Sequence, residues 1–596
     1  MTIRRRSLLT LPALLAGAAA TADESVKVLR YAFRVAETGF DPPRLSDLYS
    51  RILTGHIYEA LYTYDPLARP AKIVPLIAEA MPEISEDFRT WTVRLKQGIC
   101  FADDPAFKGQ RREVTAHDFV YSIQRYADPA LQAQAWVQYE DAGFIGLAAQ
   151  RQKAIKGKKP FDYAAPIEGV RALDRYTLQF RTEQPRPRLM ELVLAGSDLY
   201  GAVAREVVEF YGDKLGEHPV GTGPFRLKSW RRSSQIVFER NPAYRERYYE
   251  AQPAADDAEG QALLARFKGR RLPMVDQVEV VIIEENQPRW LAFLSGEQNF
   301  VERVPEDFIS QAMPHGKLAP NLAKRGMQAF RTLAPDVMLT LFNMNDPVVG
   351  GIEPAKVALR RAIGLGLDVP RELQQVRRGQ AIVAQSMVQP HTSGYDPAYK
   401  SEMGDYDPDR ARALLDLYGY VDRDGDGWRE QPDGSPLMLE RRTQADGLSR
   451  QVDEVWDSSM RALGLRLKLT VKQWPENLKA AQAAQYMIWD VAFSAAQPDA
   501  IGALQLLYGP AAGTFNFPRF VDPRYDRLYQ QMQSLPDGPE RAALFREAKR
   551  IQAAWEPLKS RGHRIITDMA AREVIGFRRP LFWQDWWQYI DISSSS

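Results

Sequence analysis

The chain has 596 residues, which is too long for one hydrophobic core, because single cores stop growing at roughly 250 to 300 residues. Apolar residues make up 45% of the sequence and charged residues 26%, and these ordinary globular proportions argue against a disordered chain, a fibre or a polytopic membrane protein. The 78 basic and 76 acidic side chains leave a net charge of +2, too small to attract nucleic acid, and the single cysteine, Cys100, excludes an intramolecular disulfide.

The N-terminal segment has the pattern of an export signal. Residues 4–6 are basic, residues 8–20 are apolar but fewer than the roughly 20 needed to span a bilayer, and residues 20–22 form a small-x-small cleavage site. The pattern predicts a signal peptide over residues 1–22 and an exported mature protein. The arginines also fit the twin-arginine pattern loosely, so export in a folded state and the ordinary secretory route both stay open.

Short strands and amphipathic helices follow one another along the chain. Alternating apolar residues predict strands over 91–95, 278–282 and 465–471. Helical spacing of apolar residues follows Thr115, which opens a capping box, and Asp407, which precedes a proline. This mixture predicts an α/β protein with two or three lobes.

The sequence has no recognisable catalytic constellation. Its six histidines are scattered singly, without an H-E-x-x-H pair or a His and Cys cluster for zinc. A G-x-S-x-G elbow and a Walker-type phosphate loop are also absent from the sequence. We therefore predict that the protein is not an enzyme and has no catalytic residues. Carboxylates are too abundant to exclude a glycosidase pair, so a secreted hydrolase is the alternative from another class.

An acidic segment has the residue order of an EF-hand calcium loop. Asp422, Asp424, Asp426 and, at the twelfth position, Asp433 offer oxygens at the expected positions, and Gly427 permits the sharp turn. The final Glu of such loops is replaced by Asp, and nearby prolines oppose a following helix. The segment predicts either a plain turn before a strand or a structural calcium ion held by the first three aspartates. No other cofactor is expected.

Several segments, in a consistent order, resemble one protein family. They are V-G-T-G-P-F-R-L at 220–227, I-Y-E-A-L at 57–61, V-T-A-H-D-F-V-Y-S-I-Q-R at 114–125 and L-R-R-A-I-G-L-G-L-D at 359–368. Each is similar to a signature element of extracytoplasmic solute-binding protein family five, whose members serve dipeptide, oligopeptide and nickel ABC transporters. Because the matches are spread over more than half of the chain, the resemblance is specific.

The resemblance implies a fold of the periplasmic binding protein type II-like class. In this α/β fold, two lobes are joined by a hinge, and an extra subdomain is inserted in the first lobe. The Gly-Pro turn would be a scaffold element where the chain re-enters lobe I. The implied boundaries are 23–62, 218–333 and 565–592 for lobe I, 63–217 for the inserted subdomain, 334–564 for lobe II and 593–596 for a disordered tail.

The resemblance also implies a function. The protein would be a periplasmic solute receptor of an ABC importer, binding a peptide or peptide-like ligand between two closing lobes and delivering it to an inner-membrane permease. It would act as a monomer and bind no nucleic acid. A non-peptide solute, such as haem, an opine or an oligosaccharide, is the alternative ligand class.

Polar candidates for ligand binding come from the same resemblance. Read without gaps, it places Asp499 where peptide-binding members have the carboxylate that neutralises the ligand ammonium. A short gap would place Ala496 there instead, and Asp499 would then be a turn residue. Asn343 matches an asparagine on the cleft side of the family's fold.

Aromatic candidates flank this region. Trp489, Phe493 and Phe517 could stack on a ligand or cover it. Aromatic residues in strands are also common in cores, so packing is the alternative role for each of them.

Overall fold

The computed structural model describes residues 26–45 and 47–593. The predicted signal peptide, residues 1–22, and most of the predicted tail lie outside the described residues. In the described part of the chain, no helix is both long and apolar enough to cross a membrane.

Strands and helices are numbered here in chain order within the described residues. The strands are β1 Val28–Phe33, β2 Tyr62–Tyr64, β3 Ile73–Pro75, β4 Glu83–Ile84, β5 Thr90–Arg94, β6 Val170–Ala172, β7 Thr177–Arg181, β8 Phe225–Arg231, β9 Gln235–Arg240, β10 Gln277–Ile282, β11 Phe300–Val301, β12 Gln328–Leu333, β13 Asp336–Phe342, β14 Ala381–Val383, β15 Met438–Thr443, β16 Arg466–Val471, β17 Ile488–Ser494, β18 Leu558–Ala570, β19 Val574–Ile575 and β20 Asp591–Ile592. The α-helices are α1 Leu48–Thr54, α2 Ala116–Ala127, α3 Trp136–Ala142, α4 Leu147–Gly157, α5 Ser197–Tyr200, α6 Arg205–Tyr211, α7 Ala258–Phe267, α8 Asn286–Ser295, α9 Ile309–Ala312, α10 Pro320–Lys324, α11 Pro354–Gly366, α12 Val369–Arg371, α13 Pro408–Leu417, α14 Gly447–Ala462, α15 Trp474–Gln482, α16 Ile501–Leu504, α17 Pro523–Ser534 and α18 Pro539–Trp555.

The predicted local elements are present in the structure. Helix α2 begins after Thr115, where the capping box with Asp118 is formed. Helix α13 begins after Asp407, whose side chain accepts a hydrogen bond from the backbone N–H of Arg410. The three predicted strands correspond to β5, β10 and β16. These predictions are confirmed. The sequence could predict these elements because caps and alternation act over only a few residues.

Three main sheets organise the described residues. Lobe I is built on the sheet β1-β10-β9-β8, the inserted subdomain on β4-β5-β7-β6, and lobe II on a sheet that contains β13, β17, β15 and β16. Alternate residues of β13 enter two different apolar clusters, so the lobe II sheet is covered on both faces. Lobe I and the inserted subdomain have apolar clusters of their own. The residue boundaries of the lobes stay a prediction.

Strand β18 runs through both lobes. Its first half pairs with β13 of lobe II, from Leu558 to Gly562. Its second half pairs with β12 on the lobe I side, from Ile565 to Ala570. Only residues 334–335 separate β12 from β13. The chain therefore crosses between the lobes at two adjacent points, which is the geometry of a hinge.

The Gly-Pro turn at 220–227 packs directly against the I-Y-E-A-L segment. A Cβ atom added to Gly221 would lie 2.0 Å from the carbonyl oxygen of Ile57, and one added to Gly223 would lie 2.6 Å from the same oxygen. The N–H of Gly223 donates a hydrogen bond to that oxygen at 2.8 Å. Only glycine allows such a close backbone approach, so the turn is a scaffold element.

A buried carboxylate joins the signature segments to one another. Glu59 accepts hydrogen bonds from the hydroxyls of Thr222 (3.0 Å) and Tyr244 (3.1 Å) and pairs with the Arg245 guanidinium at 2.6 Å. Because its oxygens are all paired, the buried charge is compensated. Segments that are distant in sequence thus meet at one structural junction.

Candidate functional site

A cavity of about 700 Å³ lies between the two lobes, beside the hinge. This volume is within the usual range for small-ligand sites. Because both lobes and the hinge form its walls, the cavity changes shape when the lobes rotate. Its wall includes residues from 34–52, 286–309 and 577–586 on the lobe I side, 376–380, 447–451 and 494–496 on the lobe II side, and 332–336 and 564–567 at the hinge.

Aromatic side chains form one part of the lobe I wall. Phe300, Phe577 and Trp586 line the cavity, and their ring centroids are 4.7 to 5.1 Å apart. None of the three is among the ligand-binding residues predicted from the sequence. The sequence signal that could have indicated them is the density of aromatic residues in the segment 577–587. That signal is ambiguous, because aromatic residues of this segment also pack in the core.

The predicted aromatic candidates lie in or beside the lobe II core. Trp489 and Phe517 are 1% and 6% exposed, and their ring centroids are 6.0 Å apart. Phe493 is half-buried and stacks on Phe517 at 6.4 Å. These three residues are not among those that line the cavity. Their ligand-binding role stays a prediction, and the structure shows the packing contacts that each of them makes.

Asn343 joins two loop segments of lobe II. Its buried amide donates hydrogen bonds to the carbonyl oxygens of Ala484 (2.9 Å) and Tyr486 (2.8 Å), and its oxygen accepts one from the N–H of Asn345 (3.1 Å). Both N–H groups of the amide are already used, so a ligand that accepts a hydrogen bond from Asn343 would have to replace one of these contacts. Its ligand-binding role stays a prediction.

Asp499 is buried, whereas Ala496 lines the cavity. The Asp499 carboxylate accepts two hydrogen bonds from Arg541, at 2.8 and 3.0 Å, and forms an ion pair with Arg188 at 2.9 Å. A ligand ammonium would have to compete with these two guanidinium groups. The role of Asp499 as the amine anchor stays a prediction.

Arg188 connects the inserted subdomain to lobe II. Its guanidinium pairs with Glu191 of its own segment (3.0 Å) and, across the interface, with Asp499 and Asp537. Burial opposes the charge, but Asp499, Glu191 and Asp537 together raise the pKa of Arg188 above its ordinary value. We call the contacts of Arg188 with Asp499 and Asp537 the Arg188 bridge. It holds the two bodies together at one edge of the interface.

The acidic loop brings together a set of carboxylates that differs from the predicted one. Oxygens of Asp422, Asp424, Asp426 and Glu430 lie within 4.8 Å of one another. Asp433, expected at the twelfth loop position, is not in this group, and its carboxylate accepts hydrogen bonds from the N–H and hydroxyl of Ser435 instead. Calcium binding stays a prediction, because oxygen ligands at such spacing suit calcium but exposed carboxylates also cluster without an ion.

Comparison with known proteins assigns the chain to a family and its fold to a known class. The Di/tripeptide-binding protein 2 of Pseudomonas aeruginosa is 27% identical over 590 residues, with 97% of each chain covered. The periplasmic oligopeptide-binding protein OppA of Salmonella typhimurium is 24% identical, with 92% of this chain and 91% of the relative covered.

A solved structure supports the type II-like two-lobe fold. The ABC transporter-associated periplasmic binding protein DppA from Helicobacter pylori superposes with a TM-score of 0.68 at 19% identity, covering 95% of this chain and 98% of that one. The predicted fold class is therefore confirmed. The model of the bacterial extracellular solute-binding proteins, family 5 Middle, matches residues 72–515, which is well over half of the sequence. The chain belongs to the bacterial extracellular solute-binding proteins of family 5.

Proposed function

We propose that this protein is a periplasmic receptor that binds a peptide of two or three residues, or a similarly sized peptide-like solute, between its two lobes. The observation that carries the proposal is the cavity of about 700 Å³ beside the hinge, because a ligand held there contacts both lobes at once. A ligand with more favourable contacts in the closed form shifts the protein toward closure.

The relatives support the choice of ligand. Two of them bear names that specify di- and tripeptides or oligopeptides, and both align along nearly the whole chain. The aromatic wall of Phe300, Phe577 and Trp586 offers an apolar surface for a ligand side chain. A cavity of this size favours a short peptide over an extended oligopeptide.

We infer that the receptor acts as a monomer, carries out no chemistry on its ligand and presents its closed form to an inner-membrane ABC permease. Export by the predicted signal peptide would place it on the periplasmic side of that membrane.

Binding calorimetry with di- and tripeptides on the purified mature chain tests the proposal. We expect one ligand per protein, recovered unchanged after binding, and native mass spectrometry to detect the same stoichiometry. Hydrolysis of the ligand by the purified chain would contradict the receptor function. Binding of a non-peptide solute alone would contradict the proposed ligand class.

A further inference from the structure

Arginines outnumber carboxylates among the residues that line the interlobe cavity. Some of these arginines are neutralised by their neighbours. Arg51 pairs with Asp198, and Arg579 pairs with Asp568 at 2.7 Å and with Glu302 at 3.1 Å. Pairs of this kind leave little charge for a ligand.

Three arginines on the lobe I wall are unpaired or only weakly paired with a carboxylate among the residues that the structure describes. Arg34 and Arg289 form no ion pair within 4.0 Å in the described part of the chain, and Arg303 shares Glu302 with Arg579 at a longer distance of 3.7 Å. Burial and then the neighbouring Arg34 lower the pKa of Arg289. Burial also lowers the pKa of Arg303. The negative charge of Glu302 opposes this shift, and the positive charges of Arg579 and Arg34 add to it. We call Arg34, Arg289 and Arg303 the arginine cluster.

Helix α8 adds to the positive potential of this wall. Arg289 lies in the first part of this ten-residue helix and is buried, and its guanidinium donates to the carbonyl oxygens of Ile283 (2.9 Å) and Glu284 (3.1 Å) and to the side-chain oxygen of Asn286 (2.7 Å). It therefore contributes positive charge to this wall from a fixed position behind the exposed Arg34. Asn286, the first helical residue, lines the cavity, so the positive end of the helix faces the site. Asp307 accepts a hydrogen bond from Asn286, and its exposed carboxylate offsets part of this positive potential.

We propose that the arginine cluster binds an anionic group of the ligand, so that the preferred peptides carry an acidic side chain. This inference rests on the proposed peptide-binding function and specifies its ligand class. Guanidinium groups match carboxylates in geometry as well as charge, and the pairing is stronger in a cavity that excludes water. The aromatic wall shares the cavity with the cluster and would contact the apolar part of the same ligand.

Calorimetry with two tripeptides of nearly equal shape tests the inference. Alanyl-glutamyl-alanine carries the extra carboxylate, and alanyl-glutaminyl-alanine replaces it with a neutral amide. We expect the wild-type mature chain to bind the acidic peptide about tenfold more tightly. Arg34→Gln should remove most of this preference, and Arg34→Lys should keep part of it because the charge remains.

Arg30→Gln is the matched control. Arg30 lies on β1, four residues before Arg34, is also exposed and pairs with Glu279 at 3.5 Å, but it does not line the cavity. The control should keep the preference of the wild type. The Arg34 variants should fold, since the one hydrogen bond of the Arg34 side chain within residues 26–45 and 47–593 is to the Tyr49 hydroxyl. The melting temperatures of all three variants verify that they fold.

Three outcomes would overturn the inference. Equal wild-type affinity for the acidic and neutral peptides would remove the anionic subsite and leave the peptide-receptor function standing. A full preference retained by Arg34→Gln would show that the arginine cluster does not create it. Failure of the wild type to bind any peptide would overturn the proposed function and this inference together.

Discussion

His56 and Asp585 are buried ionisable residues in the lobe I region, and both have polar atoms without a hydrogen-bond partner in the described part of the chain. The His56 ring stacks on Trp587 at 3.6 Å, and burial lowers its pKa well below the ordinary value. Burial raises the pKa of Asp585 to about 7, although Arg247 opposes the shift. Both groups are therefore held in an environment that favours their neutral forms.

Replacement of Asp585 should change how stability depends on pH. The folded-state pKa of about 7 lies above the unfolded value of 3.8, so the contribution of Asp585 to stability is present below pH 3.8 and is lost as pH rises toward 7. Asp585→Asn removes this loss because the amide stays neutral. We expect the free energy of unfolding of the variant, relative to wild type, to rise by up to about 4 kcal/mol between pH 4 and pH 8.

Urea unfolding at both pH values measures this difference. Asp568→Asn is the contrasting variant, because Asp568 is buried but pairs with Arg579, and its replacement should destabilise the protein at pH 8. A constant difference between Asp585→Asn and wild type across the pH range would contradict the prediction.

A methyl group at the signature turn should be strongly destabilising. Gly221→Ala places a Cβ atom 2.0 Å from the Ile57 carbonyl oxygen, and the backbone must move to relieve the collision. We expect the free energy of unfolding to fall by about 3 kcal/mol. Gly502→Ala is the matched control: Gly502 lies in α16 with nothing within 4 Å of an added Cβ, so stability should be unchanged or rise by up to about 1 kcal/mol. Similar unfolding midpoints for the two variants would refute the proposed close approach.

At the scale of elements, the best predictions concern segments whose signals are contiguous. The cap of α2 and the alternation in β5, β10 and β16 are each contained within a few residues, and the structure has these elements where they were expected. The acidic loop shows the limit of such pattern matching. The order of an EF-hand loop pointed to Asp433, whereas the chain folds Glu430 toward Asp422, Asp424 and Asp426.

Calcium should stabilise this loop if the ion binds there. We expect added Ca²⁺ to raise the melting temperature of the wild type and EDTA to reverse the rise, because the ion offsets repulsion among clustered carboxylates. Asp424→Asn should abolish the shift. Asp433→Asn should keep it, since Asp433 lies outside the carboxylate group. An identical melting temperature with and without Ca²⁺ would favour a plain turn.

At the scale of the whole molecule, two features control the relation between the lobes. The double crossing at β12, β13 and β18 forms the hinge, and the Arg188 bridge joins the bodies away from the covalent connection. Closure is favoured by contacts that exist only when the lobes meet. The bridge is therefore expected to contribute to ligand affinity by favouring closure, although Arg188 itself does not line the cavity.

Removal of the bridge should weaken ligand binding. Arg188→Ala eliminates the ion pairs with Asp499 and Asp537. We expect the Kd for a bound peptide to rise about tenfold. Added salt should change the Kd of this variant little, because the ion pairs that salt could weaken are gone. Arg205→Ala is the control, because the contacts of Arg205, an exposed pair with Glu209 and a cation–π contact with Tyr121, stay within the same subdomain. Unchanged affinity of Arg188→Ala in calorimetry would show that the bridge does not favour the closed form.

The α/β composition, the family and the role of the Gly-Pro turn follow from the sequence, because each depends on residues that are neighbours in the chain or on motifs in a recognisable order. The cavity does not follow from it. Arg34, Arg303 and Trp586 share a wall only because the lobes fold and pack as they do. The partners of Asp499 came from the same packing, since Arg188 and Arg541 belong to distant segments. Contacts between remote residues depend on how whole sheets are placed, and no local pattern encodes that placement.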